Sequence, residues 1–225
     1  MKIKTKTNET LLKNLKRNSN KKAVVLLSGG VDSTATAFLL KHKGYEVYPL
    51  FIDYGQNANI AEKFIANKIS EKMNLQKIKI IKTDIYKQFQ GIKMCDGDVE
   101  KADDAWVSGR NTLFMMIAGI YAERINADGI SLGYMLEDNF VFGDNDFFHH
   151  KEVENLLAKS FLRPFKVYMP IKHLNKSQLI SLLRENELFD ITTSCWNAKL
   201  DGKSISVCHQ CANCLERDQL SKFSA

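Results

Sequence analysis

The chain has 225 residues, 44% of them hydrophobic and 26% charged, with a net charge of +6. This balance excludes a disordered chain, and no apolar run is long enough for a membrane-spanning helix, so one soluble domain with a small appendage is expected. The opening residues lack the apolar stretch of a secretory leader, which points to the cytoplasm.

The charge is unevenly spread. Residues 1–22 hold eight Lys or Arg against the single Glu9, leaving a net charge of −1 for the rest. The division expected is a basic extension over 1–22, an α/β domain over 23–190 and a C-terminal segment over 191–225. A solvated tail is the simplest reading of the extension, and its charge is the only pointer to nucleic acid. The alternation KIKTKT allows a short edge strand, with a short helix over ETLLKNLKR.

From Lys22 strand and helix patterns alternate. AVVLL (23–27) is a continuous apolar run, as in a strand buried on both faces, and STATAFLLKHKG (33–44) is a helix ending at Gly44. YEVYPLFID (45–53) is a second strand, and helical spacing follows over 58–73 through Ile60, Phe64, Ile65 and Ile69. KIKII (77–81) reads as a strand, and 83–107 as a polar loop. GRNTLFMMIAGIYAERINA predicts a long, mostly buried helix, followed by a strand over 128–133. Two more helices are expected over 150–161 and 175–185, the second capped by Asn175. This succession predicts a doubly wound parallel sheet with right-handed crossovers.

In such a sheet ligands bind beyond the carboxyl ends of the strands, and SGGVDS stands at the first strand-to-helix turn. Gly29 and Gly30 let the backbone approach an anion, and the helix start favours negative charge. The Lys of a Walker A loop and the G-x-G-x-x-G of a dinucleotide fold are both missing, so this is a phosphate nest of another kind. The bland alternative is a tight turn with Asp32 and Ser33 as helix caps.

Near the C-terminus Cys195, Cys208, Cys211 and Cys214 form a C-x12-C-x2-C-x2-C array. Four thiolates at this spacing can surround one tetrahedral zinc ion. His209 is a weaker candidate ligand than its neighbour Cys208, and Cys95 reads as a free thiol in a polar loop.

SGGVDS resembles the pyrophosphate loop of the adenine-nucleotide alpha-hydrolase-like enzymes, or N-type ATP pyrophosphatases. That likeness implies a Rossmann-like fold in which Ser28, Gly29, Gly30, Asp32, Ser33 and Thr34 cradle the pyrophosphate end of ATP, with Asp32 as a magnesium contact. Within this superfamily, the ordered set SGGVDSTATA, DYGQ (53–56), SGRNTLF (108–114), PIKHLNKSQLI (170–180) and SCW with the cysteine knot and LER resembles the 7-cyano-7-deazaguanine synthases of queuosine biosynthesis. The resemblance implies a carbon–nitrogen ligase working as a homodimer on a deazaguanine carboxylate, ATP and ammonia. Arg110 and Lys176, each opening a helix, are the matching catalytic cations beside Asp32. Tyr54, Gly55 and Gln56 lie where adenine or substrate contacts belong, and Asn111 adds a polar substrate contact.

The chain departs from the family pattern in two places. Asn57 and Ala58 replace Arg-His after DYGQ, and DNFVFGDND (138–146) replaces the D-x-S-G-Y-P-D-C-R substrate loop, keeping the acids Asp138 and Asp144. Glu137, Asp138, Asp144 and Asp146 are candidates to bind a guanine edge or magnesium, or simply to solvate a lid. His149 and His150 read as surface or helix-start residues. Three functions remain open at this point: the standard amide-then-nitrile synthesis, transfer of the activated deazaguanine to an amine of a partner protein as in antiviral defence relatives, and an inert nucleotide- and zinc-binding module.

Overall fold

The computed structural model describes residues 20–136 and 143–223. The strand and helix suggested for the first residues lie outside this range, as do Glu137 and Asp138.

A five-stranded, wholly parallel sheet has the order β3-β2-β1-β4-β5, formed by β1 (Lys22–Leu26), β2 (Glu46–Asp53), β3 (Lys79–Lys82), β4 (Gly129–Ser131) and β5 (Lys166–Tyr168). The chain leaves β1 for β2 on one side and later returns to β4 on the other. The crevice of this doubly wound fold therefore opens beyond the carboxyl end of β1.

Among the described residues six longer helices flank the sheet: α1 (Val31–His42), α2 (Asn59–Lys72), α3 (Arg110–Arg124), α4 (Phe147–Phe161), α5 (Lys176–Glu185) and α6 (Ala212–Phe223). The period-two geometry of β1 divides the core. Ala23, Val25 and Leu27 face α1, α2 and α5, while Val24 faces the other layer, where α3 and α4 pack. Among the described residues no helix is long and apolar enough to cross a membrane.

Two expectations need correction. The helix opening at Arg110 is not mostly buried: only Met115, Ala118, Gly119 and Ala122 are, and Ile120 is 57% exposed. A single apolar stripe suffices to dock it on the sheet, so its apolar composition overstated its burial. The strand pattern also missed β5 and the antiparallel hairpin of β6 (Lys199–Asp201) and β7 (Ser204–Ser206). At three residues each, these strands are too short for alternation to show, although Asp201-Gly202 carries a hairpin-turn signal.

Candidate active site

The SGGVDS loop is shaped by close packing. Gly29 has φ +88°, and a Cβ there would stand 2.7 Å from Ile65 Cγ2. Glycine is required on both counts. Thr193 N–H donates to Gly29 O at 3.1 Å. Thr34 Oγ1 and Ser33 Oγ donate to Gly30 O at 2.7 and 3.2 Å, and Ser28 Oγ lies 3.2 Å from Ser33 Oγ. Gly30 is the N-cap of α1, and no side chain caps that terminus. Asp32 and Ser33 thus leave the first amides of α1 open, which is what an anion site needs.

Two charged side chains meet over the loop. Lys176, the first residue of α5, places Nζ 2.8 Å from both Asp32 Oδ1 and Oδ2. Its helix start is fixed by a capping box between Asn175 and Gln178. The pair joins residues 144 positions apart and is only partly shielded.

Opposite stands Arg110, first residue of α3, whose NH1 donates to Tyr54 Oη and Ala105 O, both at 3.3 Å. Burial pushes the Tyr54 phenol up to about 12, against the pull of Arg110. Gln56 braces this corner: Oε1 accepts from Tyr54 N–H at 3.0 Å, and Nε2 donates to Ile52 O at 3.2 Å and Glu62 Oε2 at 2.9 Å. Gly55 turns at φ +88° against the Lys87 side chain.

Ser28, Asp32, Ser33, Tyr54, Gln56, Arg110 and Asn111 line one cleft of about 460 Å³. Gly29, Gly30, Thr34, Gly55 and Lys176 are not among its lining residues; Thr34 is fully buried, and Lys176 is tied to the cleft residue Asp32. Asp144 stands behind Asn111, accepting from its N–H at 3.1 Å and from Nδ2 at 3.4 Å. Asp138 lies outside the described residues. His149 and His150 do begin a helix, but His150 is 0% exposed, against the surface reading. Its Nδ1 lies 2.6 Å from Asp146 O and its ring 4.5 Å from that of Tyr134. Burial lowers its pKa, which favours the neutral ring.

The cysteine array closes into a metal-sized cage. Sγ atoms of Cys195, Cys208, Cys211 and Cys214 all lie within 4.8 Å of one another, with Cys208 Sγ 3.5 Å from Cys195 Sγ and 3.9 Å from Cys214 Sγ. Tetrahedral thiolates at about 2.3 Å from a zinc ion would be about 3.8 Å apart. Backbone N–H groups of Cys208 and Cys211 donate to Sγ of Cys195 and Cys208, both at 3.3 Å. Burial pushes Cys195 up to about 11 and Cys214 upward as well; at Cys208 burial is outweighed by N–H donors of Gln210 and Cys211, bringing it to about 6. Four thiols so close cannot all ionise without a cation, and a metal ion such as zinc supplies one. His209 is exposed and lies 3.8 Å from Asp218, outside the cage. Cys95 stands apart from the four, in the short helical turn Lys93–Asp96 and not in an open loop, with Sγ 3.8 Å from Tyr54 O.

With this geometry in place, a family model described as queuosine biosynthesis protein QueC matches residues 22–222. The chain belongs to the QueC family. It is 31% identical over 206 residues to a 7-cyano-7-deazaguanine synthase from Saccharophagus degradans, covering 86% of this chain and 91% of the relative. A synthase of the same name from Pyrococcus furiosus is 30% identical over 222 residues, covering 88% and 90%. Two solved structures share the fold at a TM-score of 0.54. The U34-tRNA thiolase NcsA from Methanococcus maripaludis is 18% identical, covering 97% of this chain and 73% of its own. A 4-thiouridine synthetase in complex with RNA and ATP is 16% identical, covering 92% and 51%.

The motifs of this QueC-family chain left several cleft residues without a role, among them Glu62, Asn145, Trp196 and Asn213. Trp196 and Asn213 adjoin Cys195 and Cys214, so the metal cage sets where they stand. Their signal was adjacency to ligands. Glu62 sits in an ordinary amphipathic pattern and gave none.

Proposed function

We propose that the chain is a cytoplasmic ATP-dependent ligase that activates the carboxylate of 7-carboxy-7-deazaguanine and passes it to ammonia, ending at 7-cyano-7-deazaguanine. The observation that carries this reading is the convergence of an uncapped helix start, the Asp32–Lys176 pair and Arg110 on one cleft. The relatives' shared name supports the choice of substrate.

A carboxylate oxygen attacks the α-phosphorus of ATP and expels pyrophosphate, giving an acyl adenylate. Ammonia then attacks the carbonyl carbon, AMP leaves and a proton is lost, giving the amide. A second ATP adenylates the amide oxygen, and departure of AMP with two protons in all leaves the nitrile. No side-chain nucleophile is required. The chain's work is to position two anions against their mutual repulsion and to stabilise the charge that builds up at phosphorus.

In this reading the loop from Ser28 to Thr34 cradles the leaving pyrophosphate. Asp32 contacts Mg2+ and hands Lys176 to the phosphates. Arg110 and Asn111 face the carboxylate, with Asp144 holding Asn111 and Asp138 at the substrate loop. Tyr54, Gly55 and Gln56 wall the nucleotide. Zn2+ in the cysteine cage is structural, and a homodimer is the working unit.

A second acceptor is favoured by the changed wall. Asn57 Nδ2 donates to Lys93 O at 2.9 Å and to Gly97 O, and Ala58 is buried against the cysteine knot. Where the family pattern carries Arg and His, this chain thus has a tied-down amide and a buried methyl, and in the second reading an amine of a partner protein replaces ammonia. The test is mass spectrometry of products from protein, Mg-ATP and 7-carboxy-7-deazaguanine, with and without ammonia. Nitrile with AMP and pyrophosphate supports the first reading; AMP with product halted at adenylate or amide supports the second. No AMP would overturn both.

A further inference from the structure

Two acids offered by the sequence as acceptors for the substrate base are committed elsewhere. Asp144 holds Asn111, and Asp146 caps α4 by accepting from His149 N–H at 2.6 Å. A different carboxyl lines the cleft. Glu62, in the first turn of α2, shares that lining with Tyr54, Phe114 and Trp196.

Glu62 is held in orientation without being neutralised. Its Oε2 accepts from Gln56, whose amide is anchored at Ile52 O and Tyr54 N–H. Among the described residues no Lys, Arg or His forms an ion pair with it. Arg110 attracts it from a distance but spends NH1 on Tyr54 and Ala105. Burial raises its pKa, and Gln56 and Arg110 offset this only in part. A shielded acid with one amide partner costs stability, and such a cost persists where a ligand supplies the missing donors.

The nature of those donors follows from the shape of a carboxylate. Its two oxygens match two adjacent N–H groups, which a guanine-type ring offers at its ring N–H and exocyclic amine. The adenine of ATP offers one amine beside a ring nitrogen lone pair, which would repel the second oxygen. Flat side chains nearby suit a stacked heterocycle.

We propose that Glu62 is a specificity-determining residue that reads the ring N–H and exocyclic amine of the deazaguanine substrate, with Trp196 against the face of the ring. This rests on the substrate assigned above.

Calorimetric titration of wild type, Glu62→Gln and Glu62→Asp with 7-carboxy-7-deazaguanine, its analogue lacking the exocyclic amine, and a non-hydrolysable ATP analogue tests it. Wild type should prefer the amino form by roughly 100-fold, because the analogue leaves a shielded acceptor unpaired. Glu62→Gln should bind the natural form roughly 10- to 100-fold more weakly and lose most of that preference, with the ATP analogue unaffected. Glu62→Asp, a shorter acid, should retain part of the preference. The Glu62→Gln side chain keeps an oxygen to accept from Gln56 and removes a shielded charge, so the melting temperature of that variant should not fall. Unchanged preference in both variants, or weakening confined to the ATP analogue, overturns the assignment while leaving the substrate intact. Wild type that binds neither deazaguanine overturns the substrate reading and this inference with it.

Discussion

The two walls of the cleft are built from different materials. In the proposed function the phosphate side is backbone: an uncapped helix start and a glycine turn packed on Ile65, within one stretch from Ser28 to Thr34. The base side is side chains borrowed from distant segments. Trp196 and Asn213 hang from a cysteine cage, Arg110 and Asn111 from a helix tied down by Asp144, and Glu62 from Gln56. An anion needs only oriented dipoles, which a short motif can encode. A heterocycle needs shape and matched donors, which several elements must hold in register.

Removing a charge from either wall, Asp32 on the phosphate side or Arg110 on the base side, should have the largest effect on turnover. Asp32→Ala or Arg110→Ala is expected to lower pyrophosphate release about 10²- to 10³-fold while metal content stays at the wild-type level, since neither side chain touches the cage. A coupled pyrophosphate assay with elemental analysis reads both. Normal release in both variants would remove them from the chemistry.

Cys211→Ser attacks the base side at its root. A three-thiolate remnant should lose most of its metal and, with it, the order of the segment carrying Trp196 and Asn213. Metal content and thermal unfolding check this. Wild-type metal binding by the variant would refute the four-thiolate cage.

These differences explain what could be read before the fold was known. The turn at SGGVDS was legible because its glycines and the helix start after it are contiguous, and the cysteine array because metal geometry constrains spacing. The parallel sheet followed from apolar strands alternating with helices. The place of Glu62 was not legible, since only the packing of α2 brings it into the same cleft lining as Tyr54 and Trp196. The burial of His150 was missed for a similar reason: its partner is a backbone carbonyl at Asp146 and its neighbour is Tyr134, both fixed by tertiary packing. The acids of residues 138–146 looked equivalent in sequence, yet Asp144 and Asp146 hold helix starts.

A milder change sharpens the contrast. Trp196→Ala removes a flat face without a ligand of the cage, and a stacked ring contributes about 1–3 kcal/mol. The KM for the deazaguanine should rise roughly tenfold or more, with the KM for ATP unchanged. Equal rises in both would mean that Trp196 serves the nucleotide and that the two walls are not separate.

The smallest effect is expected behind both walls. Glu154 on α4 is buried; its Oε2 accepts from Val167 N–H of β5 at 2.8 Å, and its Oε1 lies 3.0 Å from Lys151 Nζ and 3.2 Å from Lys166 Nζ. Burial opposes its ionised form, but these donors prevail and hold the carboxyl below its usual 4.5. A carboxyl lowered on folding stabilises the fold fully above the unfolded value, and that contribution is lost as pH falls through the lower, folded value. Glu154→Gln should therefore cost about 1–2 kcal/mol at pH 7, with the gap to wild type narrowing below about pH 4.5 and closing in stronger acid. Both KM values should stay at wild type. Thermal melts from pH 7 to pH 3 decide it: a gap independent of pH would mean that packing, and not charge, ties α4 to the sheet edge.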